Sequence, residues 1–112
     1  MTINELTAED SGTIVQARVG DVLAILLAEN ATTGFRWHVD MIDAAFELVS
    51  DGYRAAPDDT PGEQRVGSGG TREFRVVPTR VGLATMSFKH WREWEGDSSV
   101  IGRVSFVVDA RE

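Results

Sequence analysis

Glycine or proline punctuates this chain at short intervals, at Gly12, Gly20, Gly34, Gly52, Pro57, Pro61, Gly62, Gly67, Gly69, Gly70, Pro78, Gly82, Gly96 and Gly102. Long helices fit poorly between such breaks, because an interior glycine costs a helix about 1 kcal/mol and a proline about 3 kcal/mol. Short strands joined by turns fit well, and turn signals at regular spacing mark a β-sandwich or barrel. The segments between the breaks agree. Residues 13–19 are rich in β-branched side chains and alternate loosely. After a turn at Val19-Gly20-Asp21, residues 21–28 form an apolar run of strand length, as a covered central strand requires. In residues 35–39, Phe35, Trp37 and Val39 share one face. Residues 46–50, 71–78, 83–88 and 101–109 complete the set, the last with Val104, Phe106 and Val108 alternating with Arg103, Ser105 and Val107. Residues 40–46 are the one stretch that suggests a helical turn, through Met41, Ala44 and Ala45. Seven to eight strands predict an all-β, immunoglobulin-like sandwich.

The length of 112 residues allows one domain, 1–112, and no second. With no cysteine, the chain has no disulfide framework, thiol nucleophile or thiolate metal site. Eleven basic against 18 acidic residues give a net charge of −7, which opposes binding to nucleic acid and to anionic membrane surfaces. No apolar run nears the roughly 20 residues that span a bilayer. Met1-Thr2-Ile3-Asn4-Glu5 has neither a basic nor an apolar leader pattern, so no signal peptide is read in it. The compartment stays open, and nothing in the sequence demands more than a monomer.

Catalytic arrangements are scarce. His38 and His90 are the two histidines, and they lack zinc-site spacing. His38 is expected on the solvent face of its strand and His90 beside the tryptophan loop. No G-x-S-x-G elbow is present. Gly67-Ser68-Gly69-Gly70 leads into a strand pattern and lacks the Lys-Ser/Thr pair of a phosphate loop. Asp58-Asp59 and Glu93/Glu95/Asp97 lack the ordered spacing of a calcium loop. Neither a metal nor a cofactor is expected.

Three segments carry more than a connection needs: residues 30–34, 57–70 and 89–99. In a sandwich, alternate connections fall at the same end, and these three are evenly spaced in strand order. Trp91 and Trp94 lie in a charged loop, where a tryptophan either folds back over the sandwich or anchors an interface.

Residues Asn30-Ala31-Thr32-Thr33-Gly34-Phe35-Arg36-Trp37, Gly67-Ser68-Gly69-Gly70 and Arg92-Glu93-Trp94 appear in this order. They resemble the three signature loops of the chagasin family, inhibitors of papain-like cysteine peptidases, written N-P-T-T-G-[YF]-x-W, G-x-G-G and R-P-W. The resemblance spans residues 12–109. Ala31 and Glu93 stand where the family carries proline. Each loss of proline removes about 0.4–1 kcal/mol of loop preorganisation. Glu93 also adds a charge to the contact surface.

The resemblance implies a reversible inhibitor that catalyses nothing and fills the cleft of a papain-like cysteine peptidase with three loops. Thr32 would approach the target's catalytic centre, with Asn30, Ala31, Thr33 and Gly34 forming the rest of that loop. Residues Gly67, Ser68, Gly69 and Gly70 would pair backbone with one wall. Arg92, Glu93 and Trp94 would dock on the other, with Trp94 as aromatic anchor. Phe35 and Trp37 would belong to the core or loop base. The competing reading is a non-catalytic immunoglobulin-like binding or adhesion module whose tryptophans stack on a protein or sugar ligand.

Overall fold

The two-residue period becomes eight strands in a computed structural model that describes residues 3–55 and 69–112. In chain order they are β1 (Ile3–Thr7), β2 (Ile14–Arg18), β3 (Val22–Glu29), β4 (Arg36–Ile42), β5 (Phe46–Ala55), β6 (Gly70–Pro78), β7 (Gly82–Trp91) and β8 (Gly102–Arg111). Two four-stranded sheets result, ordered β1-β3-β6-β5 and β2-β8-β7-β4. The pairs β1–β3 and β2–β8 are parallel and the other four antiparallel. This is the expected all-β, immunoglobulin-like sandwich.

Alternation sets what each strand buries. Leu23, Ile25 and Leu27 of β3 and Phe74 and Val76 of β6 face Met86 and Phe88 of β7 and Val104, Phe106 and Val108 of β8. Phe88 lies at the centre, 4.7 Å from the Phe74 ring and 6.3 Å from the Phe106 ring, measured between centroids. Each such ring contributes about 1.5–3 kcal/mol by leaving water. The turn read at residues 19–21 is present: Gly20 has φ +93°, and Asp21 accepts the Arg18 N–H at 3.0 Å.

One expectation is corrected, and one strand is added to those read in the sequence. Residues 40–46 do not form a helical turn. β4 continues to Ile42 through a register shift between Val39 and Met41, and a turn follows. The shift breaks the alternation, so the period of two is lost there. β1 is a further strand, with little apolar signal of its own, which adds to the edge of β3.

Registers place the strand ends that flank the three singled-out connections at one end. Gly70 pairs with both Glu29 and Ala55, so β3 and β5 end and β6 begins at the same level of one sheet. In the other sheet Arg36 pairs with Trp91 and His90 with Gly102, which brings residues 92–101 to that end. The two sheets are joined there by Trp37, whose indole N–H donates to the Ala28 carbonyl at 2.9 Å.

Candidate functional site: a rim of loops

The first loop is wired by its own polar side chains. Asn30 Oδ1 accepts the Thr32 backbone N–H at 3.0 Å and the Thr32 hydroxyl at 2.7 Å. The Thr33 hydroxyl donates to the Asn30 carbonyl at 2.8 Å and accepts the Phe35 N–H at 3.2 Å. Asn and Thr favour such turns because their side chains stand in for backbone partners. Residues 31–33 make one short 3-10 turn, and Gly34 closes it with φ +81°. A Cβ at Gly34 would lie 2.6 Å from the Trp94 ring, so glycine suits the φ and leaves room for the ring where it stands. Thr32 stays exposed at the tip.

The third loop is two consecutive 3-10 turns, Glu93–Glu95 and Asp97–Ser99. The buried Ser99 hydroxyl ties them, accepting the Arg92 N–H at 3.0 Å and reaching the Gly96 carbonyl at 2.7 Å. Arg92 is a strut between loops. Its Nε donates to the Thr33 carbonyl at 3.2 Å, its guanidinium covers the Phe35 ring at 4.3 Å, and Nη1 donates to Glu95 at 3.3 Å. The two tryptophans part company. Trp91 folds back, with its indole N–H on His38 Nδ1 at 3.0 Å and the Lys89 ammonium 3.5 Å from its ring centroid. Trp94 stays 71% exposed. Glu93 also projects outward, its carboxylate 3.7 Å from His38 Nε2. A shallow groove runs between Gly34, Arg36, His38, Glu93 and Trp94.

The structure thus brings Asn30, Thr32, Thr33 and Gly34 together with Arg92, Glu93 and Trp94; the backbone of Ala31 lies in the same turn. Gly69 and Gly70 stand at the foot of the second loop, where Gly70 lies so close to the Arg54 carbonyl and the Tyr53 ring that no side chain fits. Gly67 and Ser68 lie outside the described residues. Phe35 sits at the loop base and Trp37 is buried.

Beneath the rim lies a polar cluster that sequence reasoning did not single out. Glu29, 2% exposed, accepts the Trp37 backbone N–H at 2.6 Å and two bonds from Arg72, at 2.8 and 3.3 Å. Arg72 also donates to Asp51 at 3.1 Å. The Glu29 hydrogen bond raises the Arg72 pKa, against the opposing effect of burial. The two histidines lie where expected, His38 on the outer face of β4 and His90 beside the tryptophan loop, and each has a further role. His38 is only half-exposed and holds Trp91. His90 stacks on Trp37, with ring centroids 4.7 Å apart, and its Nε2 is buried without a partner. Burial pushes the His90 imidazole below its ordinary 6.5, while the Glu29 charge and a hydrogen bond with the Phe35 backbone act the other way.

Among the described residues no group of three His, Asp or Glu side chains could hold a metal ion, and no helix is long and apolar enough to cross a membrane. Trp94 and Thr32 thus stand exposed on one rim of the sandwich. Residues 16–108 match the chagasin family peptidase inhibitor I42, and the chain belongs to this family. It is a cysteine peptidase inhibitor and not an enzyme. Amoebiasin-2 of Entamoeba histolytica is 26% identical over 109 residues, covering 97% of this chain and 86% of that protein. Chagasin of Trypanosoma cruzi is 25% identical over 117 residues, covering 96% and 97%. The crystal structure of the cysteine protease inhibitor EhICP2 from Entamoeba histolytica superposes with a TM-score of 0.85 at 25% identity, covering 99% of this chain and 97% of the other.

Proposed function

We propose that this inhibitor acts by filling the active-site cleft of a papain-like cysteine peptidase with the loops of its rim. Thr32 leads, at the tip of the first loop. Its hydroxyl proton is engaged by Asn30, so the oxygen presents acceptor lone pairs to a donor in the cleft. Residues 67–70 lie along one wall of the cleft through their backbone groups, and Trp94 and Glu93 dock on the other. Arg92 holds the first and third loops at a fixed spacing, so that they enter together. Access of substrate is blocked and no covalent bond is formed.

The observation that carries this reading is Trp94: a tryptophan of the rim stays 71% exposed on a loop that the Ser99 hydroxyl ties internally. Exposed tryptophan beside arginine is the composition of a binding hot spot.

The test is a titration into papain or a cathepsin L-like peptidase with a fluorogenic peptide. Reversible, saturable inhibition with the inhibitor left uncleaved is expected. Thr32→Arg removes inhibition, because its side chain blocks the tip. Trp94→Ala weakens it by about 2 kcal/mol. Full potency in Thr32→Arg with the fold intact would show that another surface binds. Inertness of the unmodified protein against several papain-like peptidases would favour the adhesion-module reading.

A further inference from the structure

The three loops hang from different sheets, and no backbone ladder joins those sheets. The second loop leaves and re-enters the β3-side sheet through β5 and β6; the third belongs entirely to the other sheet, between β7 and β8; the first crosses from β3 to β4. Their spacing therefore depends on how one sheet sits against the other at the rim. In the middle of the sandwich that relation is set by apolar packing, which is non-directional. At the rim two directional bonds set it: the Trp37 indole N–H on the Ala28 carbonyl, and the backbone N–H of Trp37 on β4, which donates to the side chain of Glu29, the last residue of β3. The Glu29 carboxylate is in turn fixed by the fork of Arg72 on β6. Arg72 stands two residues from Gly70, and the bare Gly70 faces Glu29 across the ladder. The far side of the guanidinium is held by Asp51 on β5. The carboxylate thus links β3, β4 and β6 at the level where the loops emerge.

We infer that the Glu29–Arg72 pair is a positioning device for inhibition: it sets the offset of the two sheets at the rim and so, together with the Arg92 strut, the placement of the first loop against the third. This rests on the reading of the rim as the inhibitory edge. Stability alone does not call for such a pair, since well-packed apolar residues in its place serve a fold as well or better. What apolar packing lacks is direction, and a plug that must match a cleft needs its parts placed to within a fraction of an ångström.

The test compares Arg72→Met, Arg72→Lys and the unmodified protein in the papain titration, with melting temperatures measured alongside. Val108→Ala, in the far half of β8, serves as a destabilised control. The inhibition constant of Arg72→Met is expected to rise at least tenfold at a temperature where the variant is fully folded. Arg72→Lys, which keeps the charge and loses the two-pronged fork, recovers only part of that loss. Val108→Ala lowers the melting temperature and leaves the inhibition constant unchanged. If Arg72→Met does not fold, Glu29→Gln makes the same comparison, since it keeps an acceptor for Trp37 and loses the charge that holds Arg72. An unchanged inhibition constant in the folded variant, or an equal loss in Val108→Ala, overturns the positioning role and leaves the inhibitory reading standing. Failure of the unmodified protein to inhibit takes both down.

Discussion

The middle of the sandwich and its loop end are held together by different forces. In the middle, Phe74, Phe88, Phe106, Met86 and Ile25 are fully buried in one apolar cluster. At the loop end, the inward positions of the same strands carry Glu29, paired with Arg72 and the Trp37 backbone, and His90, stacked on the Trp37 ring. Apolar packing gives the middle its free energy, which scales with area and tolerates small shifts. Hydrogen bonds give the end its geometry, since they weaken steeply when distance or angle changes. Stability and the geometry of the rim are therefore lodged in neighbouring layers of one interior, and substitutions should separate them.

The largest expected effect lies in the middle. Phe106→Ala leaves a cavity between the sheets and should cost about 3–5 kcal/mol of stability by urea denaturation. The fraction that remains folded should inhibit as the unmodified protein does. A loss of potency beyond the loss of folded protein would show that the core positions the rim directly.

Gly34→Ala reverses the pattern. The left-handed backbone at Gly34 costs an alanine about 1–2 kcal/mol, and the new methyl pushes against the Trp94 ring. Inhibition should fall more than stability does, because Trp94 is displaced while the core is untouched. Equal potency would show that the Trp94 position is unimportant for binding.

The smallest effect concerns pH. The His90 pKa in the folded state lies below 6.5, so the unfolded chain takes up the proton first as pH falls. The stability contribution of neutral His90 is present above about pH 6.5 and is lost as pH drops through the folded value. His90→Phe keeps a ring against Trp37 and removes the proton site. Its stability should change less between pH 7 and 5.5 than that of the unmodified protein. Identical slopes would place the sensitivity elsewhere.

Much of the middle was legible in the sequence, because alternation at Val104, Phe106 and Val108 follows directly from the pleat. β1 was not, since Ile3 and Leu6 alone make a weak pattern and a parallel edge strand takes its order from its neighbour. The end of β4 was hidden by the register shift at Val39/Met41. At the rim, the loop motifs were legible as motifs, whereas the folding back of Trp91 and the outward setting of Trp94 depend on His38, Lys89 and Gly34, which are distant in sequence or carry no signal. The Glu29–Arg72 pair did leave a trace. Glu29 continues the inward parity of Leu23, Ile25 and Leu27, and Arg72 that of Phe74 and Val76. Opposite charges at inward positions of two strands are informative only once those strands are known to be neighbours.

Amide hydrogen exchange on this protein, alone and bound to a papain-like peptidase whose catalytic cysteine is replaced by serine, addresses the wedge most directly. Protection gained at residues 30–34, 67–70 and 92–96, with the outer faces of both sheets and the turn at residues 19–21 unchanged, is the predicted footprint. Protection confined to a sheet face or to that opposite turn would contradict it.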